Sequence, residues 1–309
     1  MKSISVVLTT YNGEKYIAEQ LESICTQTIT PNEVLIFDDG STDNTENICF
    51  SLARKYKKIK IVFTKNIINK GWQKNFIDGI KEASGEIVYL SDQDDIWLND
   101  KIEKTISIFK NENINILATN YTIFNMRDSE PAELQQADTF VNDGALMKVQ
   151  LTDKFYEVMR PGCTYCFRKS YFDQKVIQYW TENLAHDQLI WVTALLNSEM
   201  YILNEPLIYF RRHESNASGN VTLNTSLKRR IAQCKVMIQF TSNLLKNDNF
   251  SSSIKILLNN YLCYQKSRLD FFERKRVLKF IVKQLIYRKF IFSINSFFKD
   301  IFICFFNDK

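Results

Sequence analysis

The stretch Glu86-Ile87-Val88-Tyr89-Leu90-Ser91-Asp92-Gln93-Asp94-Asp95-Ile96-Trp97 joins an apolar run directly to three carboxylates. Its first part predicts a short buried strand, because β-branched and aromatic residues follow one another without a charge. Three carboxylates at the exit of such a strand repel one another, and a cation relieves that repulsion. One Asp would suffice to cap a following helix, and the central Gly and closing Glu of an EF-hand are missing. The stretch therefore predicts a site for a hard divalent cation that holds a phosphate group.

Short apolar runs alternate with helical periods on both sides of this stretch. The expected strands are residues 4–9, 33–37, 59–64, 87–90 and 114–119, and the expected helices are residues 14–27, 43–56, 72–83 and 100–110. This alternation predicts an α/β fold, with a mostly parallel central sheet flanked by helices. Ligands of such sheets bind beyond the carboxyl ends of the strands.

Polar loops stand at three of those carboxyl ends. Thr9-Thr10-Tyr11-Asn12-Gly13 ends the first strand, Asp38-Asp39-Gly40-Ser41-Thr42-Asp43 follows the second, and Ser91 to Asp95 follows the fourth. The Asp-Gly pair also turns the chain, and Thr42 or Asp43 is suited to cap the next helix. Because the strands are expected to be parallel, we predict that the three loops meet in one crevice.

The remainder of the first 220 residues is less regular. Residues 125–150 are polar and acidic, and we expect an insertion or a mobile loop over the site. Ordered structure is expected to resume at 162–167, in a helix over 186–196, and in the segments 201–203 and 207–213. The stretch 215–224, rich in Gly, Ser and Asn, is interpreted as a domain boundary or a flexible lid.

Charge is divided unevenly along the 309 residues. The net charge is +5, but residues 221–309 carry 17 Lys and Arg against 5 Asp and Glu, which leaves −7 on the first 220 residues. This predicts two domains, 1–220 and 221–309, of which the second is a basic amphipathic helical region. Such helices suit an anionic membrane surface; alternatively, their apolar faces pack together or form a homodimer. Nucleic acid is not expected as a partner, since the first domain is acidic and no known binding fold is present.

The cysteines and the absence of apolar targeting segments bear on the cellular compartment. Seven scattered cysteines do not predict a disulfide framework, and Cys163-Thr164-Tyr165-Cys166 lacks the second pair that a zinc site needs. The N-terminal apolar stretch is too short for a secretory signal, and no window is long and apolar enough to span a membrane. We therefore expect a reducing, cytoplasmic compartment.

Four motifs, in this order, resemble those of the family 2 glycosyltransferases with the GT-A fold. They are Ile4 to Gly13, Asp38 to Asp43, Asn69-Lys70-Gly71-Trp72 and Ser91 to Trp97. The last is most similar to bacterial rhamnosyltransferase-type members, and the resemblance runs from residue 1 to about residue 215. It implies a GT-A nucleotide-diphospho-sugar transferase domain over 1–220, followed by a C-terminal α-helical extension outside the resemblance.

The resemblance also implies roles for individual residues. Thr9, Tyr11 and Asp39 match positions that hold the nucleobase and ribose. Asp92 matches the first acidic position of the DxD motif and is expected to face the ribose. Asp94 matches the position that ligates Mg²⁺ or Mn²⁺ on the diphosphate.

Basic residues near the nucleotide are implied as well. Lys74 matches a nucleotide contact, where the family more often has Arg. His213 lies where related enzymes carry a basic or metal-contacting group, although a lone His is more often structural. Arg211 or Arg212 is suited to neutralise the leaving phosphates.

A general base is implied near the start of a late helix. Asp187 fits that position, and the structural alternative is an ordinary N-cap. His186 is the second candidate for the base because of its pKa, although we expect it to orient Asp187. The segment Gly162-Cys163-Thr164 is implied to line the acceptor side.

These features together predict an inverting, metal-dependent glycosyltransferase. The first choice of donor is dTDP-rhamnose and the second is a UDP-hexose, since thymine and uracil present the same N3–H to Asp39. The expected acceptor is a growing, lipid-linked cell-surface polysaccharide on the inner face of the plasma membrane. The alternative is a catalytically silent, membrane-docked assembly module that only binds nucleotide-sugar.

Overall fold

The chain divides into two compact units. The computed structural model describes residues 2–127, 130–136, 140–213 and 226–306. The first unit comprises residues 1–150, 158–178 and 185–216, and the second comprises residues 151–157, 179–184 and 217–309. The expected domain boundary between residues 220 and 221, and the boundary or lid expected over 215–224, lie outside the described residues.

The first unit is built on one mixed sheet. Its strands are β1 (Ile4–Thr10), β2 (Glu33–Asp38), β3 (Lys60–Lys65), β4 (Ile87–Ser91), β5 (Ile96–Trp97), β6 (Ile116–Arg127), β7 (Glu130–Gln136), β8 (Leu146–Lys148), β9 (Tyr165–Arg168) and β10 (Met200–Arg212). They follow the order β3-β2-β1-β4-β9-β6-β10-β5, while β7 pairs with β6 and β8 pairs with β10. The predicted α/β architecture is confirmed.

Parallel pairing is concentrated in the first half of the sheet. β3, β2, β1 and β4 are parallel neighbours, and β6 is parallel to β10. β9 runs antiparallel between β4 and β6, and β5 runs antiparallel to β10. The carboxyl ends of β1, β2 and β4 therefore share one edge, as the polar loops predicted.

Helices cover this sheet at the predicted positions. They are α1 (Ile17–Cys25), α2 (Thr45–Lys55), α3 (Trp72–Glu82), α4 (Lys101–Ile108), the short α5 (Lys169–Tyr171) and α6 (His186–Leu196). In α1, Ile17, Leu21 and Ile24 recur at helical spacing and are fully buried in the main core. α3 approaches β1 closely, because a Cβ at Gly79 would lie 2.5 Å from Cγ1 of Val7.

An insertion or a mobile loop was expected over residues 125–150, and the loop alternative is wrong at Glu130–Gln136 and Leu146–Lys148, which form strands. β7 pairs with β6 and β8 pairs with β10, both antiparallel. The polar composition of β7 hid it from a search for apolar runs, and β8, with the three residues Leu146-Met147-Lys148, is too short to show an alternation. Residues 128–129 and 137–139 of this segment lie outside the described residues.

The second unit is helical, as expected for the C-terminal extension. It contains α7 (Leu227–Leu245), α8 (Ser252–Arg274), α9 (Val277–Ile286), a 3₁₀ turn (Arg288–Phe290) and α10 (Ile294–Phe306). Phe271 stacks on Phe280 with ring centroids 4.1 Å apart. Arg268 donates two hydrogen bonds, of 2.8 and 3.0 Å, to the buried carboxylate of Asp300. Among the described residues, no helix combines the length and apolar character needed to span a membrane.

Two short segments from the first 220 residues belong to this second unit. The Tyr156 ring stacks on Tyr261 at 4.7 Å, and the Tyr156 hydroxyl donates to the carbonyl of Phe290. Asn247 donates from Nδ2 to the Tyr179 hydroxyl at 2.7 Å. Residues 151–157 and 179–184 thus complete an aromatic core that residues 217–309 do not form alone.

Candidate active site

The loops after β1 and β2 are joined by hydrogen bonds. The Asp39 N–H donates to the Thr10 carbonyl at 2.8 Å. Asn12 adopts a positive φ of 48°, which directs its N–H to Ser41 Oγ at 2.8 Å. Oδ1 of Asn12 accepts from the Thr42 N–H at 2.9 Å. The carboxyl ends of two adjacent parallel strands therefore form one structured wall.

Gln93 connects the loop after β4 to the same wall. Its Oε1 accepts from Thr10 Oγ1 at 2.7 Å and from the Tyr11 N–H at 2.8 Å. A Cβ at Gly13 would lie 2.5 Å from this oxygen, so only glycine permits the approach. The three polar loops therefore meet, as predicted from their positions at the strand ends.

Asp39 organises the segment that carries the Asn69-Lys70-Gly71-Trp72 motif. Its Oδ1 accepts from Asn66 Nδ2 at 2.9 Å and from the Lys70 N–H at 2.8 Å. Its Oδ2 accepts from the Gly71 N–H at 2.9 Å. The carboxylate is buried, and its hydrogen bonds fix the loop before α3 against the end of β2.

The other residues expected at the nucleotide differ in accessibility. Thr9 is buried at the end of β1, whereas half of the Tyr11 surface is exposed at the loop that follows. Lys74 lies on α3 and forms an ion pair with Asp78 one turn later, where Lys70 also approaches at 3.6 Å. A nucleotide contact by Lys74 therefore requires that this ion pair be broken.

The acidic run after β4 forms a tight cluster. The ligand atoms of Asp92, Asp95 and Cys163 all lie within 4.8 Å of one another. Burial, and then the charges of Asp94 and Asp187, raise the pKa of Asp92 to about 7. Burial, and then the charges of Asp94 and Asp92, raise the pKa of Asp95 well above its ordinary value. The predicted repulsion among these carboxylates is therefore present, and its cost falls when a proton or a cation is shared.

Asp94 is paired with the histidine expected near the diphosphate. Nε2 of His213 lies 2.8 Å from Oδ2 of Asp94, and both side chains are largely buried. The imidazole also packs on the Tyr16 ring, with centroids 4.8 Å apart. The structure thus brings together two residues that were expected, separately, to contact a metal.

Arg211 holds the acidic loop in place. Its Nε donates to the Asp94 carbonyl at 2.7 Å, and its N–H donates to Asp95 Oδ1 at 3.1 Å. The buried guanidinium also bonds the carboxylate of Glu19 on α1. Arg211 therefore positions Asp94 and Asp95, whereas Arg212 is exposed and its guanidinium lies 5.8 Å from the Phe210 ring centroid.

Asp187 lies in the first turn of α6, next to the acidic cluster. The N-cap of α6 is Ala185, so the ordinary N-cap interpretation of Asp187 is not met. Burial raises the pKa of Asp187 to about 6, and the carboxylate accepts a hydrogen bond of 2.7 Å from the Gln188 N–H. Its charge also raises the pKa of Asp92, so the two carboxylates share one electrostatic environment.

His186 occupies an aromatic pocket beside Asp187. Its ring lies 3.9 Å from the Phe76 ring and 5.7 Å from the Trp72 ring, measured between centroids. A Cβ at Gly162 would lie 2.1 Å from its Nε2. Burial lowers the pKa of His186 to about 3, and among the described residues neither ring nitrogen has a hydrogen-bond partner. A neutral, buried imidazole is a weak base, so this environment favours Asp187.

Two buried groups near the acidic cluster were not predicted. Cys163 was expected on the acceptor side, yet its thiol lies against Asp92 and Asp95. Lys101 is fully buried, and its ammonium group lies 4.8 Å from the Trp97 ring centroid. Cys163 is about seventy residues from the carboxylates in sequence, and the helical period of α4 makes Lys101 look like an ordinary surface lysine. Local sequence carries no signal for either contact.

The donor set fits a hard divalent cation. The carboxylate oxygens of Asp92 and Asp94 suit Mg²⁺ and Mn²⁺. The imidazole nitrogen of His213, which contacts Asp94, is a softer ligand that transition metals accept more readily than Mg²⁺. Oδ2 of Asp95 is buried and has no hydrogen-bond partner among the described residues, so a nearby cation would favour ionisation of this carboxyl. Burial raises the pKa of the Cys163 thiol well above its ordinary value, so it is suited to donate to the carboxylates instead of binding a hard metal.

Comparison with known proteins identifies the family. The model of the family "Glycosyl transferase family 2" matches residues 5–175. The chain is 32% identical over 260 residues to the dTDP-rhamnosyl transferase RfbG of Shigella flexneri, covering 79% of this chain and 86% of that protein. It is 25% identical over 245 residues to the UDP-Glc:alpha-D-GlcNAc-diphosphoundecaprenol beta-1,3-glucosyltransferase WfgD of Escherichia coli, covering 78% of this chain and 88% of that protein.

A solved structure shares the fold. The crystal structure of S. aureus TarS 1-349 in complex with UDP-GlcNAc superposes with a TM-score of 0.61 at 21% identity. The match covers 92% of this chain and 80% of the TarS 1-349 chain. The sheet, the meeting of its strand-end loops and the family match agree with the resemblance seen in the four sequence motifs. The chain belongs to the family 2 glycosyltransferases and has the GT-A fold.

Proposed function

We propose that this glycosyltransferase transfers a sugar with inversion, in a metal-dependent reaction, to a growing cell-surface polysaccharide. The observation that carries the chemistry is the shared environment of Asp92, Asp94 and Asp187 at the ends of β4 and α6. The pair Asp94 and His213 for a metal, and the separate carboxylate of Asp187 with its raised pKa, are groups that such a reaction needs.

The donor is proposed to be dTDP-rhamnose, with a UDP-hexose as the second choice. Support for rhamnose comes from the 32% identity to a dTDP-rhamnosyl transferase over most of both chains. Support for a UDP-hexose comes from the likeness to WfgD at 25% identity. Asp39, Thr9 and the exposed Tyr11 surround the loop where the base and ribose are proposed to bind, with Asp92 near the ribose.

The metal is proposed to be Mg²⁺ or Mn²⁺, held by Asp94 and His213. A divalent ion bound there neutralises charge on the departing diphosphate. Arg211 keeps Asp94 in position through its backbone carbonyl. Because the charge of Asp94 opposes ionisation of Asp92, a cation bound beside them would relieve the repulsion between the two carboxylates.

Asp187 is proposed to be the general base. It accepts the proton of an acceptor hydroxyl, whose oxygen then forms a bond to the anomeric carbon as the bond to the diphosphate oxygen breaks. A pKa of about 6 leaves Asp187 ionised at neutral pH while keeping it more basic than an exposed carboxylate. His186 supports the start of α6 by packing on Phe76.

The acceptor is proposed to be lipid-linked, at the cytoplasmic face of the plasma membrane. WfgD, by its name, uses a diphosphoundecaprenol-linked acceptor, and the net charge of +12 on residues 221–309 favours an anionic surface. Association of two copies through the C-terminal helices is the alternative use of their apolar faces.

The variant Asp187→Asn distinguishes a sugar transferase from a catalytically silent module that only binds nucleotide-sugar. If the protein is a transferase, this variant binds nucleoside diphosphate like the wild type but loses nucleoside diphosphate release in the presence of acceptor. A silent, membrane-docked assembly module instead predicts that cells with Asp187→Asn make their surface glycan normally. Asp173→Asn, which removes a half-exposed carboxylate paired with Lys169, is the matched control.

A further inference from the structure

Helix α9 carries an apolar stripe on its exposed side. Leu278, Val282, Leu285 and Ile286 recur at helical spacing, and Leu278 is 77% exposed. Phe280, on the other side of the helix, is buried in the core of the second unit. An isolated exposed leucine is ordinary, but a stripe at this spacing forms a continuous apolar face that a soluble helix does not need.

Helix α10 repeats this arrangement. Ile294, Phe298, Phe302 and Phe306 recur every four residues and are exposed, and Phe306 is 74% exposed. Cys304, on the opposite side, is fully buried in the same core as Phe280. Two successive helices therefore each bury one side in the second unit and present the other, apolar side outward.

Charge indicates what covers these faces. Residues 271–289 contain seven basic residues and one acidic residue. Lys279 and Lys283 lie one turn apart and border the apolar stripe of α9. A second copy would bring the same positive charge against itself, whereas an anionic bilayer offers both hydrocarbon and negative charge.

A cavity of about 210 Å³ lies between α8 and α9, beside this face. Lys266, Lys279 and Lys283 line it together with Asp270. Asp270 pairs with Lys279 at 2.9 Å, while among the described residues no carboxylate pairs with Lys266 or Lys283. Two lysines that line a small cavity and have no described carboxylate partner there suit a phosphodiester group.

We propose that the exposed faces of α9 and α10 lie on an anionic phospholipid bilayer and that the cavity between α8 and α9 receives a lipid phosphate between Lys266 and Lys283. This deepens the peripheral membrane location proposed above and rests on it. It does not depend on the transfer reaction, because no residue of the candidate active site takes part.

Flotation of the full chain with vesicles tests the proposal. Vesicles of phosphatidylcholine alone are compared with vesicles that also contain phosphatidylglycerol. The wild type is expected to float only with the anionic vesicles. The double variant Leu285→Ser with Phe298→Ser is expected to bind these vesicles at least about tenfold more weakly. Lys266→Gln with Lys283→Gln is expected to weaken binding about tenfold at low salt. The control is Lys57→Gln with Lys58→Gln, which removes the same charge from two exposed positions in the turn after α2. This control is expected to leave vesicle binding unchanged.

The outcomes separate this inference from the location on which it rests. If the wild type floats and both variant pairs float equally well, the membrane location stands and the proposed face and cavity are wrong. If the wild type floats with neither vesicle, both fail, whereas nucleoside diphosphate release still reports on the transferase. A wild type that is dimeric without vesicles, and made monomeric by Leu285→Ser with Phe298→Ser, shows that a second copy covers the face and overturns the proposal.

Discussion

Nε2 of His213 lies 2.8 Å from Oδ2 of Asp94, although the two residues are 119 positions apart in the chain. Asp94 follows β4 and His213 follows β10, so the sheet brings the two together at one edge. This is the pair that we propose as metal ligands, and a bound diphosphate would supply further oxygen ligands beside it.

Removal of either partner is expected to weaken metal binding. His213→Gln should raise the dissociation constant for Mn²⁺ about tenfold or more, because one ligand and the orientation of Asp94 are lost together. Asp94→Asn should weaken it further. Mn²⁺ titration followed by electron paramagnetic resonance, with nucleoside diphosphate present, measures both. Asp173→Asn serves as the control, and unchanged Mn²⁺ affinity in His213→Gln would assign His213 a structural role.

Activity is expected to depend on pH through Asp187. Its pKa of about 6 in the folded chain means that the base becomes protonated as the pH falls below that value. The rate at low substrate should therefore drop tenfold per pH unit below about pH 6 and be flat above it until another group titrates. Asp187→Asn should lower turnover about 10²–10⁴-fold and abolish this acidic limb. Retention of the limb in the variant would show that another group is the base.

Stability of the metal-free protein is expected to fall as the pH rises. The pKa of Asp92 is about 7 in the folded chain against an ordinary value of 3.8, so its contribution is fully present below about pH 4 and is lost as the pH passes through 7. Asp92→Asn should therefore raise the unfolding temperature at pH 8 and leave it nearly unchanged at about pH 4.5. Thermal unfolding measures this, in one series with a chelator and in a second series with Mn²⁺ instead. Mn²⁺ should reduce the difference in unfolding temperature between the wild type and Asp92→Asn at pH 8.

Glu33 supplies the opposite control for that experiment. Burial opposes its ionisation, but hydrogen bonds from Ser5 and Ser84 lower its pKa to about 2 from an ordinary value of 4.5. Its stabilisation is present above about pH 4.5 and is lost as the pH falls towards 2. Glu33→Gln should therefore destabilise the protein at all pH values above about 4.5. Unlike Asp92→Asn, it should not raise the unfolding temperature at pH 8. A flat pH profile in the wild type would contradict the raised pKa of Asp92.

The packing of Gly162 on His186 is expected to be sensitive to one methyl group. Gly162→Ala would place a Cβ 2.1 Å from Nε2 of His186, whose ring cannot retreat from Phe76. We expect a loss of about 1–3 kcal/mol in the free energy of unfolding of the first unit. Chemical denaturation measures it, and in a double-mutant cycle His186→Ala should cancel part of the cost. Purely additive effects would show that the two residues do not press on each other.

Much of this architecture follows from local pattern. The alternation of apolar strands and helical periods is sufficient to predict β1 to β4 and α1 to α4, because each of these elements carries its own periodicity. The meeting of the loops at Thr10, Asp39 and Gln93 follows from parallel strands alone. β7 escaped prediction because its polar composition is typical of loops, and β8 because three residues are too few to show an alternation.

Contacts between distant residues account for what sequence could not predict. Nothing near Cys163 signals that its thiol lies against Asp92 and Asp95, and nothing near His186 signals an aromatic pocket that removes its basicity. Segments 151–157 and 179–184 look like part of the first domain but pack in the second unit. The fold as a whole determines such contacts, and the local pattern of apolar and polar residues does not reveal them.

Nucleoside diphosphate release from a panel of donors tests the central claim most directly. The panel contains dTDP-rhamnose, UDP-glucose and UDP-N-acetylglucosamine, each with Mg²⁺, with Mn²⁺ or with a chelator, and with a lipid-linked glycan acceptor. We predict metal-dependent release from dTDP-rhamnose, none with the chelator, and none from Asp187→Asn. Release from a UDP-hexose alone would select the second donor, and the absence of release from every donor with either metal would contradict the proposed reaction.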